Sequence, residues 1–188
     1  MRNGRRLRGI GLGAIALALG GLGLGADAPP RTIDAGGLTF QVPSAWKSSK
    51  PSSTMRRAQL TVEPAEGDTD PAELVVFAFP GGAGTVDANV KRWQSQFRDK
   101  DGNPPKVDSK TVQGKNAEVT RVEIAGHYIA PKFPGSVEVN DKPHWRLLGA
   151  IVQTNDTGYY LKMIGPEKTM NAAKAEFDGM LKSVNVEK

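Results

Sequence analysis

Two histidines, His127 and His144, and the carboxylates between them, Glu138 and Asp141, are of types that suit a transition metal. Zinc or copper accepts two imidazoles and a carboxylate, and an ion held that way supports hydrolysis. The short, regular spacing of common zinc motifs is missing. The four share one site only if the segments ending in Gly126-His127-Tyr128 and starting at Pro143-His144-Trp145 lie side by side. The competing reading is two solvent-facing histidines next to aromatic rings.

Other constellations fall short of a motif. Asp99-Lys100-Asp101-Gly102-Asn103 starts like a calcium loop, but glycine falls fourth and the twelfth position is Lys110, where an EF-hand needs glycine sixth and glutamate twelfth. Glu63, Glu66, Asp68, Asp70 and Glu73 read as an acidic solvated loop. Pro80-Gly81-Gly82-Ala83-Gly84-Thr85 leads from a strand into a helix, a setting that can hold an anion on backbone amides. It has neither the lysine of a P-loop nor dinucleotide-type spacing. There is no Gly-x-Ser-x-Gly elbow. The chain has no cysteine, which excludes disulfides, thiolate metal sites, a cysteine nucleophile and an acylated-cysteine anchor. Trp46, Trp93 and Trp145 are expected in core packing.

These residues must be positioned by a chain of 188 residues, enough for one domain and an appendage. With 38% hydrophobic residues it has material for a core. Residues 1–28 read as an export signal. Arg2, Arg5, Arg6 and Arg8 precede an uncharged run from Gly9 to Gly25, and Ala26-Asp27-Ala28 offers small residues for cleavage. Cleavage after Gly25 or Ala26 is an alternative, because Pro29 is a poor first residue. A retained anchor is the other alternative, although the run is shorter than the roughly 20 apolar residues of a typical span. Of 25 basic and 20 acidic side chains, four and one lie in this segment, leaving a net charge of +2 on the rest. That surplus is too small for a nucleic-acid surface.

Residues 29–37 are expected to be a tether and 38–188 a single α+β domain. Leu38–Val42 and Met55–Val62 alternate apolar and polar residues, as half-buried strands do. Glu73–Phe79 and Trp145–Val152 are apolar on both faces and must be covered twice. Thr85 is placed to cap a helix whose Val86, Val90, Trp93 and Phe97 form one stripe. Val107–Val112 and Ala117–Ala125 form a hairpin around Gln113-Gly114-Lys115-Asn116. Ile129–Pro143 reads as a long irregular connection. Tyr159–Ile164 is the last strand, and a helix from Glu167 to about Ser183 carries Met170, Ala173, Phe177 and Leu181 inward. Short turns between strands require antiparallel neighbours. The predicted fold is an antiparallel sheet with helices packed on both faces.

Phe40-Gln41-Val42-Pro43-Ser44-Ala45-Trp46 resembles the aromatic-x-aliphatic-Pro-x-x-Trp opening of the PsbP-like superfamily. Gly158-Tyr159-Tyr160-Leu161-Lys162-Met163-Ile164-Gly165-Pro166, leading into a helix with Phe177 and Leu181, is similar to the same group. The resemblance covers residues 38 to 184 and implies an α/β/α sandwich. That superfamily includes an extrinsic photosystem II subunit, a Ran-binding import factor and exported bacterial proteins, so the fold does not supply a function.

The functional expectation is an exported domain, periplasmic or extracellular, that is not an enzyme, needs no cofactor, and binds a protein or envelope component. Contact with nucleic acid is not expected, and membrane contact only through an uncleaved signal. Binding residues favour loops on rigid scaffolds, which points to Lys132, Phe133, Glu138 and Asp141 in the long connection. The alternative is a metal- or small-ligand-dependent protein, such as a hydrolase, using His127 and His144.

Overall fold

The computed structural model describes Met1, residues 28–133 and residues 135–187. The export signal expected over residues 1–28 lies, apart from its two ends, outside the described residues. Among the described residues no helix is long and apolar enough to cross a membrane.

Chain order is β1 (Arg31–Asp34), β2 (Leu38–Val42), β3 (Lys47–Ser48), β4 (Arg56–Val62), β5 (Ala72–Pro80), α1 (Val86–Gln94), β6 (Phe97–Arg98), β7 (Val107–Gln113), β8 (Glu118–Tyr128), β9 (Lys142–Gln153), β10 (Thr157–Pro166), α2 (Glu167–Lys182) and β11 (Asn185–Val186). The main sheet runs β3-β4-β5-β10-β9-β8-β6, with β7 also paired to β8, and a second sheet runs β1-β2-β11. All pairings between these strands are antiparallel.

Residues 29–37 are therefore not a free tether. Arg31–Asp34 pairs with Val42–Thr39, Ala35 is buried, and the Arg31 guanidinium bonds Ser48 Oγ at 2.7 Å and the Trp46 carbonyl. Likewise β2 joins a small separate sheet rather than the large one, because β11 returns from the far end of the chain to pair Asn185 with Thr39.

Two-faced strands divide neighbouring residues between two clusters. Val76, Leu148, Ala150 and Leu161 face a core closed by Met170, Ala173, Phe177 and Leu181 of α2, with Leu38, Phe40 and Trp46 beside it. Each has a neighbour on the opposite face: Phe77, Leu147, Ile151 and Tyr160, which gather with Trp93 and Phe97. The alternation follows from the two-residue period of a strand. Trp46 is buried and donates its indole N–H to Glu176 Oε2 at 2.9 Å.

The two helices cover unequally. Sixteen residues long, α2 packs along β9 and β10 and also touches β2 and β7. It has no side-chain cap at Pro166; instead Asp68, from the β4–β5 loop, accepts hydrogen bonds from Thr169 N at 2.8 Å and Thr169 Oγ1 at 2.7 Å. Those bonds from Thr169 hold the Asp68 carboxyl below its usual range. Only nine residues long, α1 is capped as expected, with Thr85 Oγ1 accepting from Ala88 N at 3.2 Å. Its Trp93 lies directly on Gly149, where a Cβ would meet the indole at 2.4 Å. Beyond that contact Phe77 and Phe79 on β5 and Trp145 on β9 remain half-buried. The second face is thus covered only in part by a helix.

Candidate functional site

The segment Ile129–Pro143 is irregular over most of its length, as expected, but it carries one isolated bridge. It extends the β8–β9 hairpin into a protruding arm. Tyr128 pairs with Lys142 at its base. Beyond them Pro131 and Val139 form a bridge. Lys132 N donates to Glu138 O at 3.0 Å and Asn140 N to Ala130 O at 2.8 Å. Outside this ladder, Lys132 Nζ and Glu138 Oε2 pair at 2.8 Å. Three apolar side chains stand in solvent around the tip: Phe133, Val137 and Val139, exposed by 64%, 97% and 50%. Of the four residues predicted to bind a partner, Lys132, Phe133 and Glu138 lie on the arm. Asp141 lies at its root and turns to His127.

The two histidines do come together. His127 and His144 line one depression of about 370 Å³, with Arg98, Lys100, Asp99 and Glu167. His127 sits where the β8–β9 register shifts between Gly126 and Tyr128, and its Nε2 lies 2.6 Å from Asp141 Oδ1. Gly126 is needed there, because a Cβ would lie 2.4 Å from the Arg98 carbonyl oxygen. His144 adopts φ 55°, a left-handed conformation uncommon for a side-chain-bearing residue. Among the described residues no three His, Asp or Glu side chains converge as a metal site. Two histidines and a carboxylate thus share a neighbourhood without forming the ligand set that their types allowed. The calcium-like loop is a turn, in which Asp99 Oδ1 accepts from Asp101 N at 2.9 Å and Asn103 N at 2.8 Å.

The partly covered face holds a second concavity, which the sequence reading did not single out. It has a volume of about 230 Å³ and is lined by Phe77, Phe79, Asn89, Arg92, Trp93, Gln96, Tyr160 and Lys162. Phe77 and Phe79 stack with centroids 6.2 Å apart, and Tyr160 meets Phe79 edge-on at 5.7 Å. Lys162 donates to Gln96 Oε1 at 2.6 Å and lies 5.4 Å over the Tyr128 ring. Tyr128 in turn stacks on Trp145 at 5.7 Å. Burial and then the positive charge of Arg56 push the Lys162 ammonium down to about 8, against an opposing pull from Glu73. The signal for this site was the lysine itself, in a strand otherwise apolar on both faces.

Sequence reasoning also missed a charged latch beneath α2. Arg121, on the α2 side of β8, is 1% exposed. Its Nε donates to Asp178 Oδ1 at 2.7 Å and its Nη2 lies 2.9 Å from Glu123 Oε2. Glu123 also meets Lys174 at 2.8 Å and Arg146, which reaches on to Glu167 at 2.6 Å. Burial opposes both charges. For Glu123 the opposition is outweighed by Lys174 and Arg121, which hold the carboxyl below its usual range. For Arg121 it is outweighed by Asp178 and Glu123, which raise the guanidinium. The latch ties helix to sheet, and Glu167 at its outer end also lines the histidine depression.

No family model matches the chain, and no curated protein matches it in sequence. A crystal structure from Bacteroides thetaiotaomicron covers 81% of this chain and 46% of its own length, at 11% identity and TM-score 0.45, too loose to argue from. The solution structure of cyanobacterial PsbP (CyanoP) from Synechocystis sp. PCC 6803 aligns over 90% of this chain and 97% of its own, with TM-score 0.52 and 15% identity. Likeness at that identity speaks to architecture and leaves activity and partners open. With antiparallel sheets, two helices and that nearly full-length alignment, the chain has a PsbP-like fold.

Proposed function

We propose that this protein is an exported, non-catalytic binding module that docks a protein or cell-envelope partner through the β8–β9 arm. One observation carries the reading: Phe133, Val137 and Val139 stand in solvent on a hydrogen-bonded arm. Large apolar side chains on a projection tied by cross-arm hydrogen bonds gain by leaving water on binding. Export rests on the basic start and the apolar run of residues 1–28, and the compartment is periplasmic or extracellular. In this reading α1 and α2 are the outer layers of one sandwich, whose role is to hold the arm still. Deleting residues 132–141 tests it. The shortened chain should unfold cooperatively at a midpoint near that of the parent and lose its envelope partner. Collapse of folding, or turnover of a substrate by the parent chain, contradicts the reading.

A second reading keeps His127 and His144 as a metal or small-ligand site, because the two line one depression beside Asp141. A ligand specific to the folded state raises the melting midpoint, so a zinc-induced rise lost on double alanine substitution would favour it.

A further inference from the structure

We propose that the cleft between β5 and α1 binds a small aromatic monocarboxylate, its ring on Phe77 and Phe79 and its carboxylate between Lys162 and Arg92. This goes beyond the arm and does not depend on it. The cleft is small: about 230 Å³, below the roughly 300–1,000 Å³ that drug-sized ligands occupy. Its walls are of two kinds. Phe77, Phe79, Trp93 and Tyr160 offer ring faces and edges to a flat apolar body. Lys162 and Arg92 supply two positive charges, and among the described residues no carboxylate lies within 4.0 Å of either. By contrast, Arg121, Arg146, Lys174 and Lys142 each meet a carboxylate.

Both cations are held in place by neutral amides. Asn89 is 2% exposed; it donates to the carbonyls of Ala83 and Thr85 at 3.0 and 2.9 Å and accepts from Arg92 Nη1 at 3.0 Å. Gln96 accepts from Lys162 at 2.6 Å. Neutral partners position the charges without cancelling them, which leaves a net positive field in a partly desolvated apolar pocket. A single carboxylate on a small ring complements it in charge and shape. The groups facing Lys162 are Arg56 from β4, Glu73 from β5, Tyr128 from β8, and Arg92 and Gln96 from α1 and the turn after it. Since the ammonium titrates near 8, carboxylate binding weakens as pH rises through that value.

The test is calorimetric titration of phenylacetate into the purified full chain at pH 7, with 2-phenylethanol and acetate as the uncharged and ringless controls. Saturable phenylacetate binding is expected, with each control at least about tenfold weaker, the span of one charge-assisted hydrogen bond. Lys162→Met and the exposed Arg92→Gln should each reduce phenylacetate affinity about tenfold or more, and raising the pH to 9.5 should weaken the parent alone relative to Lys162→Met. Absence of saturation up to about 10 mM, equal binding of 2-phenylethanol, or unchanged affinity in both variants overturns the proposal.

Discussion

Lys162→Met should make this protein more stable, and the size of the effect follows from the surroundings of the ammonium. Lys162 projects from the middle of β10 onto the second face of the sheet, in a pocket with rings of Phe77, Tyr160 and Trp93. Burial and Arg56 lower it from 10.5 to about 8. That interval corresponds to about 3 kcal/mol opposing the charged form in the fold. Methionine keeps an unbranched stem for the same space and has no charge to desolvate. It leaves the Gln96 amide without its 2.6 Å donor, a loss of about 1 kcal/mol. A net gain of about 2 kcal/mol remains at pH 7. The pH dependence is the sharper part. Below 8 both folded and unfolded chains carry the proton, so the opposition is constant. Between 8 and 10.5 only the unfolded chain holds it, so parent stability rises with pH. The advantage of Lys162→Met should therefore vanish by about pH 10. Urea unfolding followed by circular dichroism at pH 7 and pH 10, on both chains, reads this directly. Other titrations cancel in the difference. A variant less stable at pH 7, or an advantage that does not change with pH, refutes the reasoning.

Glu123→Gln should destabilise the fold by about 3 kcal/mol in chemical unfolding, since it leaves Arg121, Arg146 and Lys174 without the carboxylate they share. Because Glu123 and Asp68 are both held below their usual range, their contribution is present above the unfolded-chain values near 4. It is lost as pH falls through the lower folded-state values, so acid unfolding of Glu123→Gln should start from a lower stability and show a shallower pH slope. Gly149→Ala should push Trp93 off the sheet, lowering stability by about 1–3 kcal/mol and altering the near-ultraviolet circular dichroism; an unchanged tryptophan signal contradicts that packing. Among the described residues no third ligand joins the pair, so zinc should shift the melting midpoint equally in the parent and in the His127→Ala/His144→Ala chain; a shift confined to the parent would favour the metal reading.

What was legible in the sequence was the part written by local periodicity. The alternation of Arg56–Val62, the greasy runs through Val76 and Leu148, the Thr85 cap and the α2 stripe all translate directly into elements. Phe97 shows the limit. It follows Trp93 at helical spacing, yet the helix ends at Gln94 with Ser95 as its C-cap, and Phe97 is buried from β6 opposite Tyr128. A buried ring at that spacing fits either path. The small sheet was invisible because β2 and β11 meet across nearly the whole chain. The arm was hidden by its prolines, which mark irregular backbone but here border a bridge at Pro131. In the latch, Arg121 and Glu123 look like a solvated strand face until Lys174 and Asp178, four residues apart on α2, are set above them. For the candidate sites, the proximity of His127 and His144 followed from strand pairing, whereas the cleft needed α1 to stop short, and helix length is not set by the stripe alone.

The arm is the proposed docking element, and a charge placed at its tip tests that role most directly. Phe133→Asp/Val137→Asp alters two side chains that already stand in water, so the unfolding midpoint should stay within about 0.5 kcal/mol of the parent. Both chains, immobilised at equal density, are exposed to the envelope fraction of the parent cell and the retained proteins quantified. A discrete species retained by the parent and depleted at least about tenfold from the variant is the predicted result, as expected for loss of hot-spot side chains; the same species retained equally by both chains would contradict the account.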